Sequence, residues 1–261
     1  MLKKVASLWI GSRLGPIELA AIRSFVRLGH EFTLFAYEEI ENRPPDVIFR
    51  DAREILDTGR IIRHQKTGSP ALHSDIFRYT LICKTEFIWV DLDIIALRPF
   101  DFPSDHIFGY EAEYWLNGAV LRLPSDSFAL RSLATVTVNT KGLPPHLTGL
   151  RKLKYQLRNI LSGGLPIDRW PWGAIGPKLL TLELRKSGEI SHALPVSAFY
   201  SIPLAEARRF ADPGAYTAKD APADAYAVHL WASHLTRYVA ENYGGTFPSG
   251  SFVNRVCNDE W

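Results

Sequence analysis

The first part of the chain constrains the fold most, because its apolar pattern changes from strand to helix and back to strand. Residues 5–10 form a short apolar run that ends at Gly11, and residues 16–28 carry apolar side chains at helical spacing before Gly29. Residues 32–37 form a second apolar run. Two strands joined by a helix lie parallel in one sheet, and ligands bind at the carboxyl edge of such a sheet. The sequence therefore predicts an α/β protein with a Rossmann-like sheet and a nucleotide-sized crevice.

The rest of the chain predicts more strands and helices, followed by a more irregular C-terminal part. Strands are predicted at residues 87–90, 107–110, 119–123 and 226–231. Helices are predicted at residues 51–56, 74–82 with Ser74 as N-cap, most of 125–160, and 177–186. Residues 42–72 otherwise lack a periodic pattern. We expect a mixed sheet flanked by helices, within a single domain that spans residues 1–261.

Composition narrows the class of protein. The chain is 46% hydrophobic and 22% charged, with a net charge of +2, which is typical of a globular domain and too weakly basic for a dedicated nucleic-acid binder. Cys83 and Cys257 show neither metal-ligand spacing nor a disulfide framework, and Cys83 is predicted to be a small core residue. No signal segment and no apolar run of about 18 residues is visible, so we expect a cytoplasmic protein.

Asp91-Leu92-Asp93 is the sharpest chemical feature, because it follows the apolar run FIWV directly. In an extended segment alternate side chains point the same way, so the two carboxylates would share one side of the strand end. A hard divalent cation prefers oxygen ligands of this kind and can also hold a diphosphate. The alternative is a pair of carboxylates in a surface turn.

Asp75 and Arg78 stand three residues apart on the preceding helix and so share one face. They could form a simple intrahelical ion pair. They could equally face the same crevice as the two aspartates, where the planar guanidinium of Arg78 would bind a carboxylate or a phosphate.

Residues 73–99, HSDIFRYTLICKTEFIWVDLDIIALRP, resemble the DXD-containing sugar-binding region of glycosyltransferase family 32. The matching positions are Ser74, Asp75, Arg78, Tyr79, Asp91, Asp93, Arg98 and Pro99. Three further elements are similar in the same order, namely Asn117-Gly-Ala-Val, Gly176-Pro-Lys-Leu-Leu-Thr181 and His229-Leu-Trp231 with Ser233. The sequence departs from the family at residues 83–86, where the family has Gly-Gly before a Tyr-containing strand.

The resemblance implies a GT-A fold and a retaining transferase that uses Mn²⁺ or Mg²⁺. It would move a hexose of the galactose, glucose or N-acetylhexosamine type from a UDP-sugar to a glycan or lipid-linked acceptor. Asp93 would ligate the metal, Asp91 would bind the donor and share the metal, and His229 would be a further metal or diphosphate ligand. Asp75 and Arg78 would contact the donor. Residues 1–125 would form the donor-binding core, and residues 126–261 the acceptor side.

Other candidate residues each have a structural alternative. The amide of Asn117 could bind sugar hydroxyls or could begin a strand after a turn. Gly176 and the proline after it could open a helix whose free N–H groups meet a phosphate, or could simply start a helix well. Asp168, in the aromatic loop 163–173, is the best local carboxylate for a role near the anomeric carbon, with an ordered surface loop as the alternative.

Residues 151–158 carry four basic side chains and no acid, which is typical either of peripheral contact with an anionic membrane or of a solvated helix face. Membrane contact would place the protein at the inner membrane face.

Two other functional classes stay open at this point. Metal-dependent phosphohydrolases also place Asp-x-Asp after a buried strand, but the common pattern has Thr where this chain has Ile95. A non-catalytic module that binds sugar nucleotides or glycans would keep the same residues. For a retaining transferase the sequence shows no unambiguous nucleophile, so we favour attack by the acceptor on the same face of the sugar.

Overall fold

A computed structural model of the protein describes residues 2–260. Its strands in that range are β1 (Val5–Trp9), β2 (Phe32–Ala36), β3 (Ile48–Asp51), β4 (Ile88–Val90), β5 (Ile94–Ala96), β6 (Ile107–Ala112), β7 (Trp115–Arg122) and β8 (Ala227–His229). Its α-helices are α1 (Pro16–Arg27), α2 (Ala71–Lys84), α3 (Phe128–Leu133), α4 (Gly149–Leu161), α5 (Pro177–Ser187), α6 (Ala232–Tyr243) and α7 (Phe252–Cys257). Short 3-10 turns cover Ala52–Glu54, Ile167–Arg169, Glu189–His192, Val196–Ala198, Leu204–Phe210 and Ala218–Asp220.

The main sheet has six strands within the described range, in the order β3-β2-β1-β4-β7-β6. Strands β3, β2, β1 and β4 are parallel, whereas β7 pairs antiparallel with both β4 and β6. A small antiparallel sheet joins β5 to β8. The predicted Rossmann-like mixed sheet is therefore confirmed, and β4 lies at its centre.

Helices cover both faces of the main sheet because its central strands are apolar on both sides. On β4, Ile88 and Val90 belong to the core formed with α1, α6 and α7, whereas Trp89 belongs to the core formed with α2, α3 and α5. On β1, Val5 and Ala6 divide between the two cores in the same way. A strand buried on both faces is expected for a parallel sheet. Within residues 2–260, no helix is both long and apolar enough to cross a bilayer.

Two local predictions on α2 are wrong. Helix α2 begins at Ala71 and is preceded by Pro70, so Ser74 lies inside its first turn and is not the N-cap. The Pro70 carbonyl accepts hydrogen bonds from the N–H groups of His73 and Ser74, which starts the helix earlier than the sequence pattern predicts. Cys83 is exposed and is not a core residue, because it lies on the outer side of the last turn of α2.

The sequence pattern also missed several elements. Strand β3 has no buried residue, because it is the outermost strand beside β2, and so lacks the alternation on which strand prediction depends. Strand β5 directly follows the Asp-Leu-Asp segment and is too short to give a separate signal. Helices α6 and α7 lie in the part of the chain that was expected to be irregular.

Candidate functional site

The two aspartates lie in a turn between β4 and β5, not in an extended segment. The N–H of Ile94 donates to the carbonyl of Asp91 over 3.1 Å, which closes the turn. Strand alternation therefore does not explain why Asp91 and Asp93 lie on the same side, and that part of the prediction is wrong. Both residues nevertheless line one cavity of about 1190 Å³, together with Ser7 and Trp9 from the end of β1.

Asp93 is fixed by the small sheet and by the start of α6. Pairing of β5 with β8 places Ile94 opposite His229, and the Asp93 Oδ1 atom lies 3.1 Å from His229 Nε2. Its Oδ2 accepts a hydrogen bond of 3.0 Å from the N–H of Ala232, the first residue of α6. The Asp93 carboxylate therefore joins β8 and the N-terminus of α6, an environment that favours a negative charge.

Asp93 and His229 stabilise each other in their charged forms. Burial opposes ionisation of Asp93, but the charge of His229 and hydrogen bonds from His229 and Ala232 hold the pKa of the carboxyl below its usual value. Burial likewise opposes protonation of His229, but the charge of Asp93 raises the pKa of the imidazole above its usual value. The buried Nδ1 atom of His229 has no hydrogen-bond partner in the described chain.

Arg78 connects the two acidic segments. Its Nη2 atom lies 3.1 Å from Asp91 Oδ1 and 3.4 Å from Asp75 Oδ1, and its guanidinium lies over the Trp89 ring. Its Nη1 donates a hydrogen bond of 2.6 Å to the Gly118 carbonyl. A Cβ at Gly118 would stand 2.8 Å from that nitrogen, so a larger residue there would displace the guanidinium from this position. Both readings of the Asp75–Arg78 pair thus hold, because the intrahelical contact and the cavity-facing contact occur together.

Asp91 is held at the same point from two sides. Trp89 Nε1 donates a hydrogen bond of 2.7 Å to the Asp91 carboxylate, in addition to the contact with Arg78. Burial raises the pKa of Asp91 above its usual value; the charge of Arg78 opposes this shift, and the charge of Asp93 adds to it. A cation placed near both carboxylates would relieve that repulsion.

Asp75 lies against the start of α5. Burial raises the pKa of Asp75 to about 6, although the charge of Arg78 opposes the shift. A Cβ at Gly176 would stand 3.0 Å from both carboxyl oxygens of Asp75, so glycine allows this close approach. Gly176 itself does not line either cavity among the residues described. The structure therefore places Gly176 behind Asp75 and does not present it as a separate phosphate site.

A second cavity of about 540 Å³ lies on the other side of Arg78 and Asp91. Asn117 lines it, and its amide is already engaged: Nδ2 donates to Glu111 over 2.8 Å, and Oδ1 accepts from the Ala119 N–H over 2.8 Å. The walls also include Trp115 and Trp172. Asp91, Arg78 and His229 belong to both cavities. The charged cluster therefore forms the wall at which the cavities meet.

Asp168 lies outside this arrangement. It does not line either cavity, whereas its neighbours Ile167 and Trp170 line the second. Its backbone carbonyl accepts a hydrogen bond from the Gln65 N–H over 2.9 Å, as in an ordered surface loop. The geometry gives no support to the predicted catalytic role of Asp168.

Two acidic residues of the site were missed by sequence reasoning. Glu18, in the first turn of α1, lines the first cavity, where burial and the charge of Asp93 raise its pKa. Glu111, near the end of β6, lines the second cavity beside Asn117. A single Glu forms no sequence motif. The only available signals were the position of Glu18 at the start of a helix and that of Glu111 near the end of a strand.

The predicted metal set of Asp91, Asp93 and His229 is brought together but is not arranged around one point. Among the described residues, no group of three or more His, Cys, Asp or Glu side chains is placed to hold a metal ion. The reason is that Asp93 and His229 contact each other, while Asp91 contacts Arg78 and Trp89. Carboxylate oxygens and an imidazole nitrogen still form a donor set that suits Mn²⁺.

Comparisons with known proteins add no constraint: no family model matches the sequence, and no curated protein matches it either.

Proposed function

We propose that the protein is a metal-dependent GT-A glycosyltransferase. It would transfer a hexose, with retention of configuration, from a UDP-linked sugar to a glycan or lipid-linked acceptor. The observation that carries the proposal is the cluster of Asp91, Asp93 and His229, in which Asp91 and His229 line both cavities and Asp93 lines the first. A group-transfer enzyme needs two substrates to meet at one charged point, and this cluster supplies such a point.

The first cavity suits the donor. It lies at the carboxyl ends of β1 and β4, where nucleotides bind in sheets of this type. Its volume of about 1190 Å³ exceeds that of typical ligand sites, which measure roughly 300–1,000 Å³, and leaves room for a nucleotide with an attached sugar. Three buried polar atoms of its lining residues have no partner in the described chain: Ser7 Oγ, Trp9 Nε1 and His229 Nδ1. Buried polar atoms normally find partners, and small rotations of these side chains toward the cavity would let the hydroxyl and diphosphate groups of a sugar nucleotide satisfy them.

Asp91, Asp93 and His229 would hold the divalent cation, whose charge, when the ion is bound, would stabilise the leaving diphosphate. Binding a metal through His229 requires its neutral imidazole, so the proton favoured by Asp93 would be released. Arg78 keeps a permanent positive charge beside Asp91 and would position that carboxylate.

The second cavity suits the acceptor. Trp115, which is 44% exposed, lines this cavity alone, whereas Trp172, which is 52% exposed, lines both cavities. Exposed indole faces stack well on the apolar face of a sugar ring. Glu111 adds a carboxylate that can bind hydroxyls, and the Asn117 amide donates a hydrogen bond that positions it.

We infer that the reaction proceeds by attack on the same face of the sugar. The bond between the anomeric carbon and the diphosphate oxygen breaks as the acceptor oxygen attacks from the same face. The leaving phosphate oxygen takes the acceptor proton. No predicted nucleophile is required, in agreement with the position of Asp168 outside both cavities.

The test is a panel of UDP- and GDP-sugars incubated with the purified protein, with Mn²⁺ or with a chelator, while release of nucleoside diphosphate is measured. Metal-dependent release from one donor supports a transferase and names the sugar. Metal-dependent nucleotide binding without release would instead indicate a non-catalytic binding module. A covalent glycosyl adduct on Asp168 or on any other carboxylate of the protein, detected by mass spectrometry, would overturn same-face attack.

A phosphohydrolase is less well supported. The position where the common pattern has Thr is Ile95, which is fully buried and pairs with Val228 in the small sheet. An aspartyl nucleophile must also be free to attack, whereas Asp91 is held by Arg78 and Trp89 and Asp93 is held by His229. Release of inorganic phosphate from simple phosphomonoesters would favour that class over a transferase.

A further inference from the structure

Helix α4 differs from the other helices because it has no buried residue. Its five aliphatic side chains are 59–84% exposed and belong to Leu150, Leu153, Leu157, Ile160 and Leu161. Their spacing of three and four residues places them on one stripe of the helix. A free helix of this length is marginal in water, so an apolar stripe of this kind indicates a face that packs against something else.

The charges on α4 indicate what covers that stripe. The helix carries Arg151, Lys152, Lys154 and Arg158 and no acidic residue. Within residues 2–260, none of the four forms an ion pair. At helical spacing, Lys154 and Arg158 lie on one flank of the apolar stripe. An apolar stripe beside unpaired basic side chains is the pattern of a helix that lies in the plane of an anionic membrane surface.

The basic surface extends beyond α4. Arg151 and Lys178 of α5 are close enough to influence the same residue, His146, whose two ring nitrogens are buried without a partner in the described chain. Burial lowers the pKa of Lys178, and the charge of Arg151 lowers it further. A lipid phosphate is the kind of anion that would relieve this crowding.

A second copy of the chain fits the stripe less well. Packing α4 against itself would bring two sets of four positive charges together without an acid on either helix. An anionic bilayer covers the same aliphatic side chains and attracts the same charges.

We propose that α4 docks the protein on the surface of anionic lipid bilayers. Helix α4 lies within a segment whose two ends are joined by backbone hydrogen bonds. The Gly142 N–H donates to the Leu165 carbonyl, and the Ile167 N–H donates to the Thr140 carbonyl, which defines the base of the segment. Residues 170–175 then run from this base along the second cavity. Docking would therefore hold that cavity near the lipid surface. The inference rests on α4 alone and stands whether or not the protein is a transferase.

The test is co-sedimentation of the full-length protein with vesicles of phosphatidylcholine alone or mixed with phosphatidylglycerol. We expect binding to the anionic vesicles to be at least about tenfold stronger, and to weaken as salt rises. Lys154→Glu/Arg158→Glu should weaken it by about tenfold or more, and Leu153→Gln/Leu157→Gln by about tenfold. Arg60→Glu/Lys219→Glu makes the same charge change at exposed positions outside α4 and should have much less effect.

Several outcomes would overturn the proposal. These are equal binding to both kinds of vesicle, no binding to either, or equal loss in the control variant. A dimer in solution that Leu153→Gln/Leu157→Gln converts to a monomer would assign the stripe to a second copy instead. Circular dichroism confirms that each variant is folded. Donor hydrolysis without acceptor should not change in the α4 variants, which separates this test from that of the proposed activity.

Discussion

Charged residues lie at both ends of the central sheet, and their exposure to solvent differs between the two ends. At the carboxyl ends of β1 and β4, Arg78 is buried between Asp75 and Asp91. At the opposite end a cavity of about 360 Å³ is also lined by charges, but its ion pair of Lys3 and Asp105 has side chains that are 30% and 42% exposed. The side chains of Arg78 and Asp75 are only 8% and 14% exposed, so water solvates them much less than it solvates Lys3 and Asp105.

The difference shows where the protein stores electrostatic free energy. At the carboxyl end, burial raises the pKa of Asp75 to about 6 and also raises the pKa of Asp91, while the pKa of His229 is raised by Asp93. At the amino end, Asp105 has a pKa below its usual value because Lys3 donates a hydrogen bond to it. Groups whose pKa values are shifted by burial and by neighbouring charges cluster at functional sites. The following predictions test that contrast.

The largest effect is expected on activity from Asp93→Asn. Removing this ligand charge from the first cavity should lower metal-dependent nucleoside diphosphate release by on the order of 10³-fold. The pKa of His229 should fall as well, because the charge that raises it is lost. Steady-state rates and an NMR titration of the histidines measure the two effects. A variant that keeps the wild-type rate would remove Asp93 from the chemistry.

The next effect is on stability. Arg78→Met should lower the free energy of unfolding by about 2–4 kcal/mol, because the partly buried carboxylates of Asp75 and Asp91 would lose their cation. Urea denaturation measures this loss. The matched control is Arg78→Met/Asp75→Asn, which removes one of the stranded charges and should recover part of the stability. If the double variant were no more stable than the single one, the loss would come from packing and not from charge.

The main strands and helices could be predicted because each leaves a local apolar pattern in the sequence. The strands and helix at residues 5–37 follow from alternating apolar runs, and the strand before Asp91 follows from an unbroken one. The side chains that meet Asp93 could not be derived in this way. His229 reaches it only because β5 pairs with β8, and β5 is three residues long and hidden behind the aspartates.

Other parts of the site also depend on contacts that are distant in the sequence. Gly118 reads as a strand residue, and only the structure shows that Arg78 occupies the space of its missing side chain. Aromatic residues surround Asp168 in the sequence and make it a candidate, but in the structure its neighbours Ile167 and Trp170 line the second cavity and Asp168 does not. A sequence motif identifies residues with suitable chemistry, whereas tertiary packing determines which of them line the cavities.

A smaller effect is expected from pH. A carboxyl with a higher pKa in the folded than in the unfolded protein binds more protons when folded, so its contribution to stability falls as pH rises through that window. For Asp75 the window runs from its usual value of 3.8 to about 6. Asp75→Asn should therefore gain about 1–3 kcal/mol relative to the wild type between pH 4 and pH 7. Urea denaturation of both proteins at the two pH values measures the difference, and a constant difference would contradict the shifted pKa.

The smallest effect is expected from Asp105→Asn at the amino end of the sheet. The pair with Lys3 lies in partly solvated surroundings, so its loss should cost less than about 1 kcal/mol, and still less at high salt. Because the pKa of Asp105 is below its usual value, its contribution is present above that usual value and lost as pH falls, the opposite sign to Asp75. Nucleoside diphosphate release should stay within about twofold of the wild type, since Asp105 lines neither of the two site cavities. A loss of unfolding free energy as large as that of Arg78→Met would show that solvent exposure does not explain the difference between the two ends of the sheet.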